Sequence, residues 1–155
     1  GPYMHSRQLC VVRKDSDIFT LQDLQGKEIG IQATTKPEEI LIHHEEYGLP
    51  EVEKLYSFSN VNEIYGAMRK GYLDGICGHE SAMRSFIDTN PDAFRSLEEN
   101  IYSSDLGVAF SKTYDSTFVK SLDKELNSLK QDGTIRKIVE KYGLDAEYAL
   151  GGIDD

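Results

Sequence analysis

The residues best equipped for chemistry lie in two short runs, Thr34-Thr35-Lys36 and His79-Glu80. The first offers two hydroxyls and an ammonium, all able to donate hydrogen bonds to a carboxylate or another polar ligand group. The second sets an imidazole, with one acceptor and one donor nitrogen, beside a carboxylate. These five side chains suit the binding of a small polar ligand. Each run also has a plainer reading, with Thr35 as a helix cap, Lys36 as a solvated cation and Glu80 as a favourable anion at a helix N-terminus. Read as an enzyme, the chain would use His79 and Glu80 as a general acid/base pair. It has no nucleophile elbow, metal motif or phosphate loop to accompany them, and no cofactor is expected. His43 and His44 are neighbours, about 100° apart on a helix, and cannot chelate a metal as an i, i+4 pair would.

Both runs follow strand-like stretches, and ligands in open α/β sheets sit off the carboxyl ends of strands. EIGIQ at Glu28–Gln32 leads into the threonines, and Asp74–Gly78 leads into His79. Upstream, Gln8–Lys14 reads as a strand broken by Asp15-Ser16-Asp17, and Leu21, Leu24 and Gly26 read as a short helical turn. Thr35 and Glu38 have capping-box spacing, with Pro37 in the first turn of a helix expected to run to about Tyr47 and stop at Gly48. Val52–Phe58 is a third strand. Asn60 and Glu63 form a second capping pair, opening a helix with Ile64, Ala67 and Met68 on its apolar face and an end near Gly71. Another helix is expected from about Glu80 to Ile87, and a strand at Leu106–Phe110. Two amphipathic helices follow, carrying Phe118, Leu122, Leu126 and Leu129, then Ile135, Ile138, Val139 and Tyr142, with Asp132-Gly133 between them; they need a surface to pack on. This alternation predicts an α/β fold with a mostly parallel sheet and flanking helices, plus two C-terminal helices.

With 155 residues, 39% hydrophobic and 28% charged, the chain is long enough for one substantial core and lies in the ordinary globular range. The net charge of −10, from 27 acidic and 17 basic residues without a basic run, argues against nucleic acid as a partner. The longest apolar stretches, such as Leu9–Val12 and Leu106–Phe110, fall far short of the roughly 20 residues of a membrane-spanning helix. Cys10 and Cys77, two and far apart, exclude a disulfide scaffold and read most simply as small core residues. Most of the nine tyrosines are expected in half-buried packing.

Four segments in order, LQDLQGKEIGIQATT (Leu21–Thr35), EIYGAMRKGYLDGICGHESA (Glu63–Ala82), LGVAFSK (Leu106–Lys112) and LNSLKQDGTIRKIVEKYGL (Leu126–Leu144), resemble the bacterial extracellular solute-binding proteins of family 3, the type II periplasmic binding proteins of amino-acid-binding type. The resemblance covers nearly the whole chain. It implies a second lobe over residues 8–112, then a helical segment over 113–148 that in relatives packs on the first lobe, with the first lobe itself absent from the chain. It also implies an extracytoplasmic protein that binds a small, amino-acid-like solute by clamp closure and passes it to an ABC-type membrane transporter. The same fold serves as the sensor domain of kinase- or cyclase-type receptors, and more rarely as a dehydratase. The missing lobe or a second copy of the chain would then be a partner. The resemblance assigns ligand contacts to Thr34, Thr35 and Lys36, where Ala33 stands in for a customary glycine, and to His79, where relatives usually carry an aspartate for the ligand ammonium. Glu80 would supply the negative charge that His79 lacks. Asp74 matches a recurrent aspartate that fixes the turn before its strand and is not counted as a ligand contact.

Overall fold

Leu9, Cys10, Val11 and Val12 are each no more than 2% exposed, so their strand must be covered on both faces. The computed structural model of the chain describes residues 1–152. They fall into two compact units, Arg7–Tyr102 and a second made of Gly1–Ser6 together with the residues from Ser103 onward.

In the first unit the sheet order is β3-β2-β4-β1-β5, with β1 at Met4–Arg13, β2 at Glu28–Gln32, β3 at Lys54–Phe58, β4 at Gly75–His79 and β5 at Phe94–Ser96. β2 runs parallel to β3 and β4, while β1 runs antiparallel to β4 and β5. The sheet is therefore mixed, with its parallel part at the strands that carry the two chemical runs. Alternation along the strands sorts the core into two layers. Cys10, Val12, Ile29, Ile31 and Cys77 pack with Leu24, Ile40 and Leu41 on one face. Leu9, Val11 and Ile76 pack with Ile64, Met68, Met83 and Phe86 on the other. The covering helices are α1 (Lys36–Ile42), α2 (Val61–Arg69) and α3 (Glu80–Thr89).

Several local expectations change. The helix after Thr35 ends at Ile42, and His44–Tyr47 continues as a 3-10 turn closed by Gly48 in the left-handed region. Neither capping pair forms as its spacing suggests. Asn60 accepts from Asn62 N–H without Glu63, and Thr35 is discussed below. Cys10 and Cys77 are core residues but not free thiols: they face each other across β1 and β4, Cα atoms 4.2 Å apart, and are joined as a disulfide. Asp74 accepts from Glu28 N–H at 2.8 Å and Asp74 N–H donates back to Glu28 C=O, so it ties the start of β2 to that of β4.

In the second unit the expected strand at Leu106–Phe110 is displaced. β6 occupies Tyr102–Leu106, and residues 107–110 are not strand; Val108 is half exposed and has no buried face to hold it extended. Helices α4 (Ser116–Gln131) and α5 (Thr134–Lys141) form where the heptad-like spacing predicts, and a short α6 (Ala146–Leu150) follows, capped by Asp145. Val139, Ala146 and Ala149 make a small core, whereas α4 buries no side chain and leaves Phe118 exposed.

Candidate functional site

β2 and β4 lie side by side and parallel, so the loops leaving their carboxyl ends are neighbours. Between them lies a pocket of about 160 Å³. Its polar lining is Gln8, Gln32, Thr35, Lys36 and His79, and its apolar wall includes Val61, Ile64, Ala82 and Met83. Gly78 lets this wall close: a Cβ there would come within 2.9 Å of the Met83 methyl. A larger hollow of about 910 Å³ lies in the second unit against Gly1, Tyr3, His5 and Gly152, and contains none of the residues singled out by sequence.

Thr35, Lys36 and His79 are thus brought together, and Thr34 and Glu80 are not among the lining residues. Thr34 adopts φ 62°, a left-handed conformation that strains a β-branched residue. Its N–H donates to Glu38 Oε2 at 2.6 Å, and its hydroxyl donates to Ala33 C=O. Glu38 also accepts from the Ser57 hydroxyl, and these bonds, Ser57 first, hold its carboxyl below the ordinary range. The capping-box geometry is therefore replaced: Glu38 fastens Thr34, and Thr35 Oγ1 donates to Gln32 C=O at 2.6 Å instead of capping the helix.

Lys36 Nζ donates to Glu39 Oε1 at 2.8 Å and to the Tyr47 hydroxyl at 3.1 Å, and sits 5.0 Å from the Tyr102 ring centre. Those two hydrogen bonds, Glu39 first, raise its pKa, so it is a fixed cation. His79 caps α3: Nδ1 accepts from Ser81 N–H at 3.2 Å and lies 2.9 Å from the Ser81 hydroxyl. With Nδ1 accepting, a neutral ring carries its proton on Nε2.

Glu80 corrects the expectation that it supplies negative charge to a ligand. It is 2% exposed, and its Oε1 accepts from Arg7 Nη2 and from Arg84 Nε, each at 2.7 Å. Its charge is spent on two guanidiniums inside the protein. Sequence reasoning overlooked Arg7, whose partner is 73 positions away, as well as Gln8 and Gln32, whose pocket-side placement follows from strand alternation once the register is known. No group of three or more His, Cys, Asp or Glu placed to hold a metal ion is found among the described residues, and no helix among them is long and apolar enough to cross a membrane.

No family model matches the chain. Over 146 residues it is 27% identical to the ABC transporter arginine-binding protein 1 of Escherichia coli K12, covering 91% of this chain and 57% of that protein. It is 26% identical over 140 residues to the histidine-binding periplasmic protein of the same organism, covering 85% of this chain and 52% of that one. The solved structure of an ancestral cationic amino acid solute binding protein superposes with a TM-score of 0.73 at 25% identity, over 91% of this chain and 59% of that one. The chain spans about half the length of the curated relatives it matches.

Proposed function

We propose that this chain, which belongs with the bacterial solute-binding proteins of family 3 and spans about half their length, supplies one side of a clamp that binds a small polar solute, an amino acid or related compound, for uptake through an ABC-type transporter. The observation that carries this reading is the convergence of Thr35, Lys36 and His79 on one pocket at the carboxyl ends of two adjacent parallel strands. Donor side chains on loops held by a rigid sheet are the usual equipment of a small-molecule site. Residues 8–112 act as the solute-binding lobe, and 113–148 as the segment that meets the other side of the clamp. A ligand that bridges both sides shifts an open-closed equilibrium toward the closed state.

The protein works outside the cytoplasm. The similarity to a protein named as periplasmic supports this, as does the Cys10–Cys77 disulfide, a linkage that persists in oxidising compartments.

Thermal melting of the chain against amino acids, small dicarboxylates and amines tests the proposal, because a ligand that binds only the native state raises the midpoint by mass action. A concentration-dependent rise with one class, abolished by Thr35→Ala or His79→Ala, is the expected result. A flat response to every compound, repeated with the partner half of the clamp supplied, contradicts it.

A further inference from the structure

The antiparallel register of β1 and β4 runs from Val12 opposite Gly75 to Gln8 opposite His79. Both side chains of that last pair line the pocket. One residue farther on, β4 has ended and Glu80 opens α3, so the ladder between the two elements stops at the pocket's edge. The next residues on either side, Arg7 and Glu80, are joined by their side chains, with Arg7 Nη2 donating to Glu80 Oε1 at 2.7 Å. An ion pair takes over where backbone pairing stops.

His79 is the N-cap of α3, its Nδ1 accepting from Ser81 N–H at 3.2 Å, so the placing of its ring depends on where the first helical turn stands. First turns are the loosest part of a helix, because their N–H groups have no partner within it. Glu80 fastens this one twice, to the sheet through Arg7 and to the next turn through Arg84 Nε at 2.7 Å. The planar guanidinium of Arg7 fixes direction as well as distance. Stability alone is a poor reason for such a buried pair, since apolar residues of similar volume often serve it equally well. We infer that Arg7 is a positioning residue for the pocket: acting through Glu80, it fixes the first turn of α3 and with it the ring of His79. The bearing of this on solute binding rests on the clamp reading; its bearing on His79 rests on the geometry alone.

Arg7→Met combined with Glu80→Leu separates positioning from stability, because a buried pair replaced by apolar side chains of similar volume usually keeps the fold. In NMR spectra of the ligand-free double variant, the Ser81 amide should exchange at least about tenfold faster, with the Ile29 and Ile31 amides of β2 unchanged. The His79 ring should lose the signature of a single neutral tautomer protonated at Nε2. Arg7→Lys, which keeps a cation opposite Glu80, should retain most of the Ser81 protection that Arg7→Met loses. A double variant whose Ser81 and His79 signals match the unaltered chain overturns the inference, as does an equal acceleration at Ser81 and across β2. Melting series with L-arginine, L-histidine and L-glutamate read the solute side separately. A compound that raises the midpoint of the unaltered chain should need at least about tenfold more to do so in the double variant. An equal requirement overturns the role of Arg7 in binding and leaves solute binding itself standing. If none of the three acts on the unaltered chain, the failure lies with these solutes, and the ligand-free spectra still decide for or against Arg7.

Discussion

The Arg7 guanidinium donates to Glu80 Oε1 at 2.7 Å, joining β1 to the first turn of α3. The Glu80 side chain is 3% exposed and that of Arg7 12%, so the pair is shielded from water. Arg84, one helical turn on, donates to the same oxygen at 2.7 Å. The glutamate next to the pocket histidine therefore serves the scaffold.

Breaking a buried pair by removing one partner costs about 3–5 kcal/mol, because the other charge stays behind. Glu80→Gln should lower stability by that order at neutral pH, measured by urea unfolding. The pH dependence has a definite sign. Burial alone would raise the Glu80 pKa, but the hydrogen bonds from Arg7 and Arg84 outweigh it and bring the value below 4.5. A carboxylate with a lowered folded pKa contributes stability above its unfolded pKa and loses it as pH falls through the folded one. The gap between the unaltered chain and Glu80→Gln should accordingly narrow below pH 4.5. A gap that widens there contradicts the assignment.

Thr34 holds a left-handed backbone at φ 62° in the loop between β2 and α1. That conformation costs a residue with a Cβ about 1–2 kcal/mol, which glycine avoids at the expense of some unfolded-state entropy. Thr34→Gly should stabilise the chain by up to about 1 kcal/mol, read from the urea midpoint, since the backbone N–H to Glu38 is retained. A clear loss of stability would mean that the hydroxyl bond to Ala33 outweighs the strain.

The Cys10–Cys77 disulfide closes a separation of 67 residues within the first unit. Crosslinks of this kind contribute about 2–4 kcal/mol, mostly by restricting the unfolded chain. Non-reducing mass spectrometry should find no alkylatable thiol, and reduction should lower the melting midpoint. Free thiols in the oxidised protein would remove one support for an extracytoplasmic location.

The strands and helices around the pocket were legible because their signals are local and strong. EIGIQ became β2 with the boundaries its composition suggests, and Phe118 to Leu129 marks α4 through its helical spacing. β5, only Phe94–Ser96, is too short to show an alternation, and its existence depends on pairing with β1. α6 was missed although Asp145 supplies a clear cap, accepting from Glu147 and Tyr148 N–H, because five residues carry little periodicity. Thr35, Lys36 and His79, singled out by their position after strands, line one pocket. What the sequence could not convey was which carboxylates are already occupied. Capping-box spacing at Thr35 and Glu38 fits two geometries, and only the left-handed turn at Thr34 decides between them. The pairing of Cys10 with Cys77 likewise needs the β1–β4 register, which two distant cysteines do not specify.

The most direct test of solute binding at the pocket is an amide map by NMR, recorded while the chain is titrated with the solute that raises its melting midpoint. Shifts concentrated at Gln32, Thr35, Lys36, Gly78 and His79, lost in Thr35→Ala, are the predicted result. Shifts confined to the second unit, around His5 and Lys130 where the larger hollow lies, would contradict the account.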